Sequence, residues 1–298
     1  MEEAAVTAPT WTPGNAPVAV VMIALDESHN MAAVLDNLAG WAAQVFLVDS
    51  YSSDDTVGLA LGRGVHVVQR AFDGFGPQWN FALETLPITA PWTMKLDPDE
   101  RLSEELKAEI AARIAGADAT GFSLVRRLWF MRKRLPVRQR IVRLWRTGQC
   151  RFSDVQVNEH PIVRGEVCDL GGELEHHDSP DLHHWLDKQN RYTTAEAIAS
   201  YRADALSDKP RLFGTRLQRT MWLKRNFTRL PLRYVAIFLH NYFVLGAFRA
   251  GWVGYAWARL RADVYRVWEY KLREMRLTGR LPTMRTAAGQ PDPRVLQY

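Results

Sequence analysis

Two carboxylates, Asp97 and Asp99, follow directly on an apolar run, Trp92-Thr93-Met94-Lys95-Leu96. Hard oxygen ligands in that arrangement can hold a divalent cation, and the cation can hold a diphosphate. Asp-x-Asp arises by chance about once in a chain this long at ordinary Asp usage, so its place carries more than its letters. The place is informative: α/β sheets bind ligands just beyond the carboxyl ends of their strands. Other acids also end apolar runs. Asp26-Glu27 follows residues 18–24, and Asp49 follows residues 45–48. Like charges gathered at one sheet edge are costly unless a cation or hydrogen-bond donors compensate.

The elements that would position these acids alternate. Residues 18–24 are continuously apolar, as a parallel strand covered on both faces should be. A helical pattern spans 30–38, and a second buried strand spans 45–48. Ser53 is expected to cap a helix running to Leu61, with Asp54 and Asp55 in its first turn. Residues 65–68 read as a third strand. Gly74-Phe75-Gly76-Pro77 reads as a turn, with Pro77 near the start of a helix to Leu86. A fourth strand covers 92–96, and Ser103 caps a helix to Ile114. This order implies a parallel sheet with right-handed crossovers, which delivers the acidic strand ends to one edge.

After Gly121 the composition changes. Residues 122–151 hold ten Lys or Arg, no Asp or Glu, and interleaved Leu128, Trp129, Phe130, Met131, Ile141, Leu144 and Trp145. Short strands are expected near 155–157, 162–163 and 170–174. Beyond Asp181 the chain reads helical over 181–202, 210–225, 232–248 and 252–276. Residues 1–17 lack the basic and apolar regions of a signal peptide and read as a disordered leader. The longest apolar stretch, 234–248, falls short of the ~20 residues of a spanning helix. The chain has 298 residues, a formal net charge of +5 and only two cysteines, Cys150 and Cys168, which implies reduced thiols and a cytosolic setting.

Four motifs in order carry a family resemblance. They are Val48-Asp49-Ser50-Tyr51-Ser52-Ser53-Asp54-Asp55-Thr56, Phe72-Asp73-Gly74-Phe75-Gly76, Gln78-x-Asn80-Phe81-Ala82-Leu83, and Leu96-Asp97-Pro98-Asp99-Glu100-Arg101-Leu102. Together they resemble the nucleotide-binding half of a family 2 inverting glycosyltransferase of the GT-A fold, and more narrowly the bacterial lipopolysaccharide-core β-glucosyltransferase-like group. Weaker likeness continues through Arg143-Leu144-Trp145, Val157-Asn158-Glu159 and residues 176–192.

The resemblance implies roles. Glu27 and Asp49 would line the base and ribose pocket. Asp97 would face the ribose or the metal's water, and Asp99 would bind Mg2+ or Mn2+. Gln78 and Asn80 would orient the nucleotide sugar, and Arg143 is a candidate for the diphosphate. Inversion needs a general base opposite the leaving group. Glu159 is the choice, with Asp154 in reserve; Asn158 stands where the family often has His. His176 resembles a third metal ligand, with neighbouring His177 as the alternative.

The expected fold is thus α/β, a Rossmann-like GT-A domain with a mostly parallel sheet over 18–180. A helical acceptor and membrane-association region over 181–277 and a flexible tail over 278–298 follow. Aromatic residues and arginines recur from 210 to 271, which suits a headgroup interface. The expected activity transfers a sugar from a nucleotide-diphosphate donor, UDP-hexose by resemblance, to a hydroxyl of a lipopolysaccharide-core, glycolipid or polysaccharide-precursor acceptor. The expected location is cytoplasmic, on the inner face of the membrane. No nucleic-acid-binding motif accompanies the basic charge. Two alternatives stay open: a polyprenyl-phosphate glycosyltransferase, whose acceptor needs no base, and a non-catalytic nucleotide-sugar-binding protein.

Overall fold

The structure is a computed structural model. It describes residues 10–282 except 117, 154–159, 203–210, 212, 216–217, 220–221 and 223–225. The first half alternates strand and helix. In chain order it runs β1 (Ala16–Ala24), α1 (Ser28–Leu38), β2 (Ala42–Asp49), α2 (Thr56–Gly62), β3 (His66–Gln69), α3 (Phe75–Thr85), β4 (Trp92–Lys95), β5 (Glu100–Leu102) and α4 (Glu104–Ile114). The rest comprises β6 (Gly121–Phe130), β7 (Lys133–Arg146), β8 (Cys150–Phe152), β9 (Pro161–Val163), β10 (Val167–His177), α5 (Leu182–Arg202), α6 (Arg233–Leu239) and α7 (Trp252–Thr278).

The main sheet has the order β3-β2-β1-β4-β7-β6-β10-β5, and β8 pairs with β9 alone. Its first four strands are parallel. β7 enters antiparallel to β4 and β6, β10 runs parallel to β6, and β5 closes antiparallel to β10. The sheet is therefore mixed, with a parallel half that holds the strand ends of interest.

Side-chain alternation splits the core. Val18, Val20 and Met22 of β1 join Met31 and Leu35 of α1 and Leu106 and Ile110 of α4 on one face. Ala19 and Val21 join Trp79 and Ala82 of α3, Trp145 and Phe152 on the other. Covering both faces is what makes these strands uniformly apolar. Trp185 of α5 and Trp257 of α7 pack on Phe130 and Leu135 at the tip of the β6–β7 hairpin.

Chain reach shows that the sheet curls. β4 and β5 are four strand spacings apart, about 19 Å if the sheet were flat. Only residues 96–99 join them, and Asp97 to Glu100 is a tight turn closed by Glu100 N–H on Asp97 O at 2.9 Å. A turn cannot bridge that span, so the far strands bend back toward β4.

Several expectations need correction. Ser53 does not cap α2: its N–H and hydroxyl donate to Asp26 Oδ1 at 2.7 and 3.0 Å, and the helix starts at Thr56. Asp54 Oδ1 accepts from Thr56 N–H instead. The arginine-rich stretch is the β6–β7 hairpin, which sequence pattern did not reveal. Register shifts at Phe122/Ser123 and at Arg127/Trp129 break its period of two. The expected helix over 232–248 is broken into α6, a π turn at His240–Val244 and a 3-10 turn at Ala247–Ala250. Gly246, at φ 75°, sits at the break. The strand expected near 155–157 and most of the helix expected over 210–225 lie outside the described residues.

Candidate functional site

The loop after β4 is built by its own sequence. Pro98 occupies the second turn position, where its fixed φ preorganises the bend. Glu100 is fully buried and grips the loop: its Oε2 accepts from Asp97 N–H at 3.0 Å, and its Oε1 from Arg143 Nη2 at 2.6 Å. The same Arg143 nitrogen donates to Asp97 Oδ2 at 2.6 Å. Arg101 donates to the carbonyls of Pro98, Glu100 and Asn30 at 2.6, 2.7 and 3.1 Å. Burial opposes the charge on Asp97, but Arg143 and then Lys95 outweigh it and hold the carboxyl below its ordinary value. Burial likewise opposes the charge on Arg143, and Asp97 and Glu100 raise its pKa.

The last strand pair brings in the second half of the site. β5 runs against β10 with His176 opposite Glu100, and His177 N–H donates to Asp99 O at 2.7 Å. Alternation along β10 then separates the two histidines. His176 Nε2 lies 3.2 Å from Asp99 Oδ2, whereas the His177 ring stacks on Trp129 at 5.0 Å between centroids. Asp178 follows at once, and Lys188 of α5 reaches Asp99 Oδ2 at 3.1 Å and Asp178 Oδ1 at 3.0 Å.

Asp99, His176 and Asp178 each offer a ligand atom, all within 4.8 Å of one another. Asp99 Oδ1 is buried and has no hydrogen-bond partner among the described residues. An orphaned carboxylate oxygen is costly, and a divalent cation would satisfy it. The residues therefore fit a hard metal ion. Burial works against the Asp99 charge, yet His176 and Lys188 hold its carboxyl well below the usual range. Burial also opposes a charged His176, and Asp99 raises it above its ordinary value.

The other strand ends arrive at the same edge. Ala24 pairs with Asp49 across β1–β2, and Val21 with Lys95 across β1–β4. Asp26 and Tyr51 lie just past those ends at φ 56° and 61°, a region that costs a tyrosine of order 1 kcal/mol. Glu27 Oε2 accepts from Asn30 Nδ2 at 2.8 Å. Its carboxyl is pushed up to about 7, first by burial and then by the charge of Asp99. Asp49 is fully buried and accepts from Ser52 N–H at 3.0 Å, from the Ser52 hydroxyl, and from Gln69 Nε2 at 2.9 Å. Gln78 accepts from Arg70 at 2.5 Å and donates to Ser50 at 3.3 Å.

Asn80 faces elsewhere. Its side chain makes a two-way bond with the Phe152 backbone, donating to O at 3.1 Å and accepting from N–H at 2.8 Å. It thus anchors the strand that leads to residues 154–159. Glu159 and Asp154 lie outside the described residues. Among the described ones, Glu27, Asp97, Asp99, Arg143 and His176 come together, Asp49 and Gln78 form a second network, and Asn80 acts on β8. Sequence reading missed Glu100, Asp178 and Lys188. Adjacency to the Asp pair, adjacency to the His pair, and helical spacing four residues after His184 were the available signals.

No family model matches the chain. The lipopolysaccharide core biosynthesis glycosyltransferase LpsC of Rhizobium meliloti is 28% identical over 193 residues, covering 61% of this chain and 70% of that one. An uncharacterized glycosyltransferase of Rickettsia conorii is 36% identical over 93 residues, 31% of this chain. That match spans 32% of the Rickettsia protein, about a third of its length. Among solved structures, TarS 1-349 of S. aureus in complex with UDP-GlcNAc aligns over 88% of this chain and 92% of that one, at 15% identity and a TM-score of 0.42. In sequence the chain is thus similar to bacterial proteins named as glycosyltransferases, one of them a lipopolysaccharide core biosynthesis enzyme.

Proposed function

We propose that the protein is an inverting, metal-assisted glycosyltransferase of the GT-A fold. It moves a hexose from a nucleotide-diphosphate donor, UDP by preference, to a hydroxyl of a lipopolysaccharide-core or related glycolipid acceptor. The observation that carries this reading is the unpartnered, buried Asp99 Oδ1 at the carboxyl edge of the parallel strands, flanked by His176 and Asp178. A divalent ion bound there would neutralise the leaving diphosphate as the glycosidic bond breaks.

The chain's own residues divide the remaining work. Asp99 and His176 would hold the ion, with Asp178 completing the set. Arg143 and Glu100 fix the loop that carries Asp97, which would face the ribose or the ion's water. Glu27, with a carboxyl near 7, can donate or accept a hydrogen bond at neutral pH, which suits a nucleoside hydroxyl or base. Asp49 and Gln78 hold the loop after β2 through Ser52 and Ser50. Glu159, by the resemblance, would remove the proton of the acceptor hydroxyl.

The acceptor reading extends to the membrane. No helix among the described residues is long and apolar enough to cross one. Yet Leu232, Val235, Leu239, Phe243, Val244, Phe248, Trp252 and Tyr255 are all exposed, Val244 by 73% and Trp252 by 70%. Arg233 and Tyr234 are instead pinned inward on the buried Glu269, at 2.6–2.7 Å. Residues 209–262 contain eleven Lys or Arg and no Asp or Glu. Exposed apolar side chains on a stretch of net positive charge suit docking to the anionic inner face of a membrane.

The test is thermal stability across a panel of nucleotide sugars with and without Mn2+, because a true donor stabilises the folded state by mass action. UDP-hexoses with Mn2+ should raise Tm in the wild type and not in Asp99→Asn. Transfer should fall about a hundredfold or more in that variant, since the ion supplies several kcal/mol. An Asp99→Asn enzyme fully active in chelator would end the metal reading.

A further inference from the structure

The candidate cation site already has an internal cation. Lys188 Nζ lies 3.1 Å from Asp99 Oδ2, 3.0 Å from Asp178 Oδ1 and 3.2 Å from Asp178 O. Three oxygens satisfy all three ammonium donors. The side chain is 18% exposed, so the ion pair is held largely away from water. Both carboxylates are ones a divalent ion would need, and their ligand atoms, with that of His176, lie within 4.8 Å of one another, so an ion bound among them would enter the same narrow space as the ammonium. An ammonium and a divalent ion cannot share it, because like charges at van der Waals distance in a partly dry site repel strongly.

Resting on the metal reading above, we propose that Lys188 is the resident counter-ion of Asp99 and Asp178, and that a divalent ion enters only by displacing it. In the metal-free protein Lys188 keeps two close carboxylates from repelling. When the ion arrives, the flexible four-carbon stem lets the ammonium leave while α5 stays in place. Lys188 then sets the threshold of ion concentration at which the site fills. A purely structural lysine, tying α5 to the loop, would have the opposite signature: its removal would loosen the ligands and weaken ion binding.

Calorimetric titration of the full chain with Mn2+ separates these cases. Lys188→Met keeps the apolar stem, and Lys188→Gln serves if the first variant folds poorly. At least tenfold tighter Mn2+ binding is expected than in wild type, with binding lost in Asp99→Asn. Wild-type protein gives a second readout free of folding effects. Acylation of Lys188, quantified by mass spectrometry, should rise severalfold on adding saturating Mg2+. Equal or weaker Mn2+ binding in the Lys188 variants, or Lys188 acylation unchanged by bound ion, overturns the displacement while leaving the metal reading intact. Absence of Mn2+ binding in wild type and in both Lys188 variants removes the metal reading, and the displacement with it.

Discussion

Burial moves the charge state of Glu27 into the physiological range. Its carboxyl rises from 4.5 to about 7, through burial and then Asp99. A carboxyl raised in the folded state leaves its stabilising effect intact below pH 4.5 and loses it as pH climbs through 7. The loss above pH 7 amounts to about 3 kcal/mol. Glu27→Gln should therefore flatten the stability profile between pH 5 and 8, measured by urea denaturation at each pH. A profile as steep as wild type would show that Glu27 is not the titrating group. Arg143 is a different case. It is buried between Asp97 and Glu100, so Arg143→Met removes the nearest cation from two acids and should cost about 3–5 kcal/mol, read as a lower denaturation midpoint. Single-residue chemistry of this kind was partly legible in the sequence. The Asp pair could be picked by type and spacing, and the His176-His177 pair through the family resemblance. The choice of His176 over His177 could not, because it depends on which face of β10 meets Asp99, and only the pairing register fixes that.

Elements were legible where one physical signal dominated. β1, β2 and β4 are buried on both faces, so their apolar runs needed no periodicity. Ser103 caps α4 as its sequence implies, accepting from Leu106 N–H at 3.2 Å. The β6–β7 hairpin stayed hidden because bulges and adjacent arginines, Arg126-Arg127, erase alternation. Those arginines face different partners: Arg126 reaches Glu100 at 3.4 Å, and Arg127 reaches Glu173 at 2.5 Å. One side chain of α3 bonds both backbone groups of Phe152 at the end of β8. Asn80→Ala would leave the buried N–H and C=O of Phe152 without that partner. The cost should be about 2–4 kcal/mol, with proteolytic cleavage after Phe152 accelerated relative to wild type. An unchanged digestion pattern would mean β8 is held by other contacts.

At the scale of the whole molecule, charge is divided unevenly. Residues 209–262 carry +11 while the full chain carries +5, so the remainder is net acidic. The acidic part holds the candidate ion site, and the basic part holds the exposed apolar ridge. Sedimentation with vesicles should recover wild-type protein on anionic lipid and far less on phosphatidylcholine. Phe243→Ser with Trp252→Ser should lower recovery at least tenfold without shifting Tm, since both side chains are exposed. Full recovery by the double variant would assign the ridge to another partner, such as a second copy of the chain.

The curl of the sheet has a consequence in time as well as in space. Strands β4, β7, β6, β10 and β5 make a ring whose clasp is the four-residue link from Leu96 to Asp99. The clasp is synthesised early, but the strand that fastens it ends at His177, and Lys188 comes later still. A nascent chain stalled before residue 167 therefore carries Asp99 with no partner in β10. Chimeras that join the first half of this protein to the second half of a relative would inherit the clasp and lose its fastening, unless the residues facing it at 176, 178 and 188 travel with it.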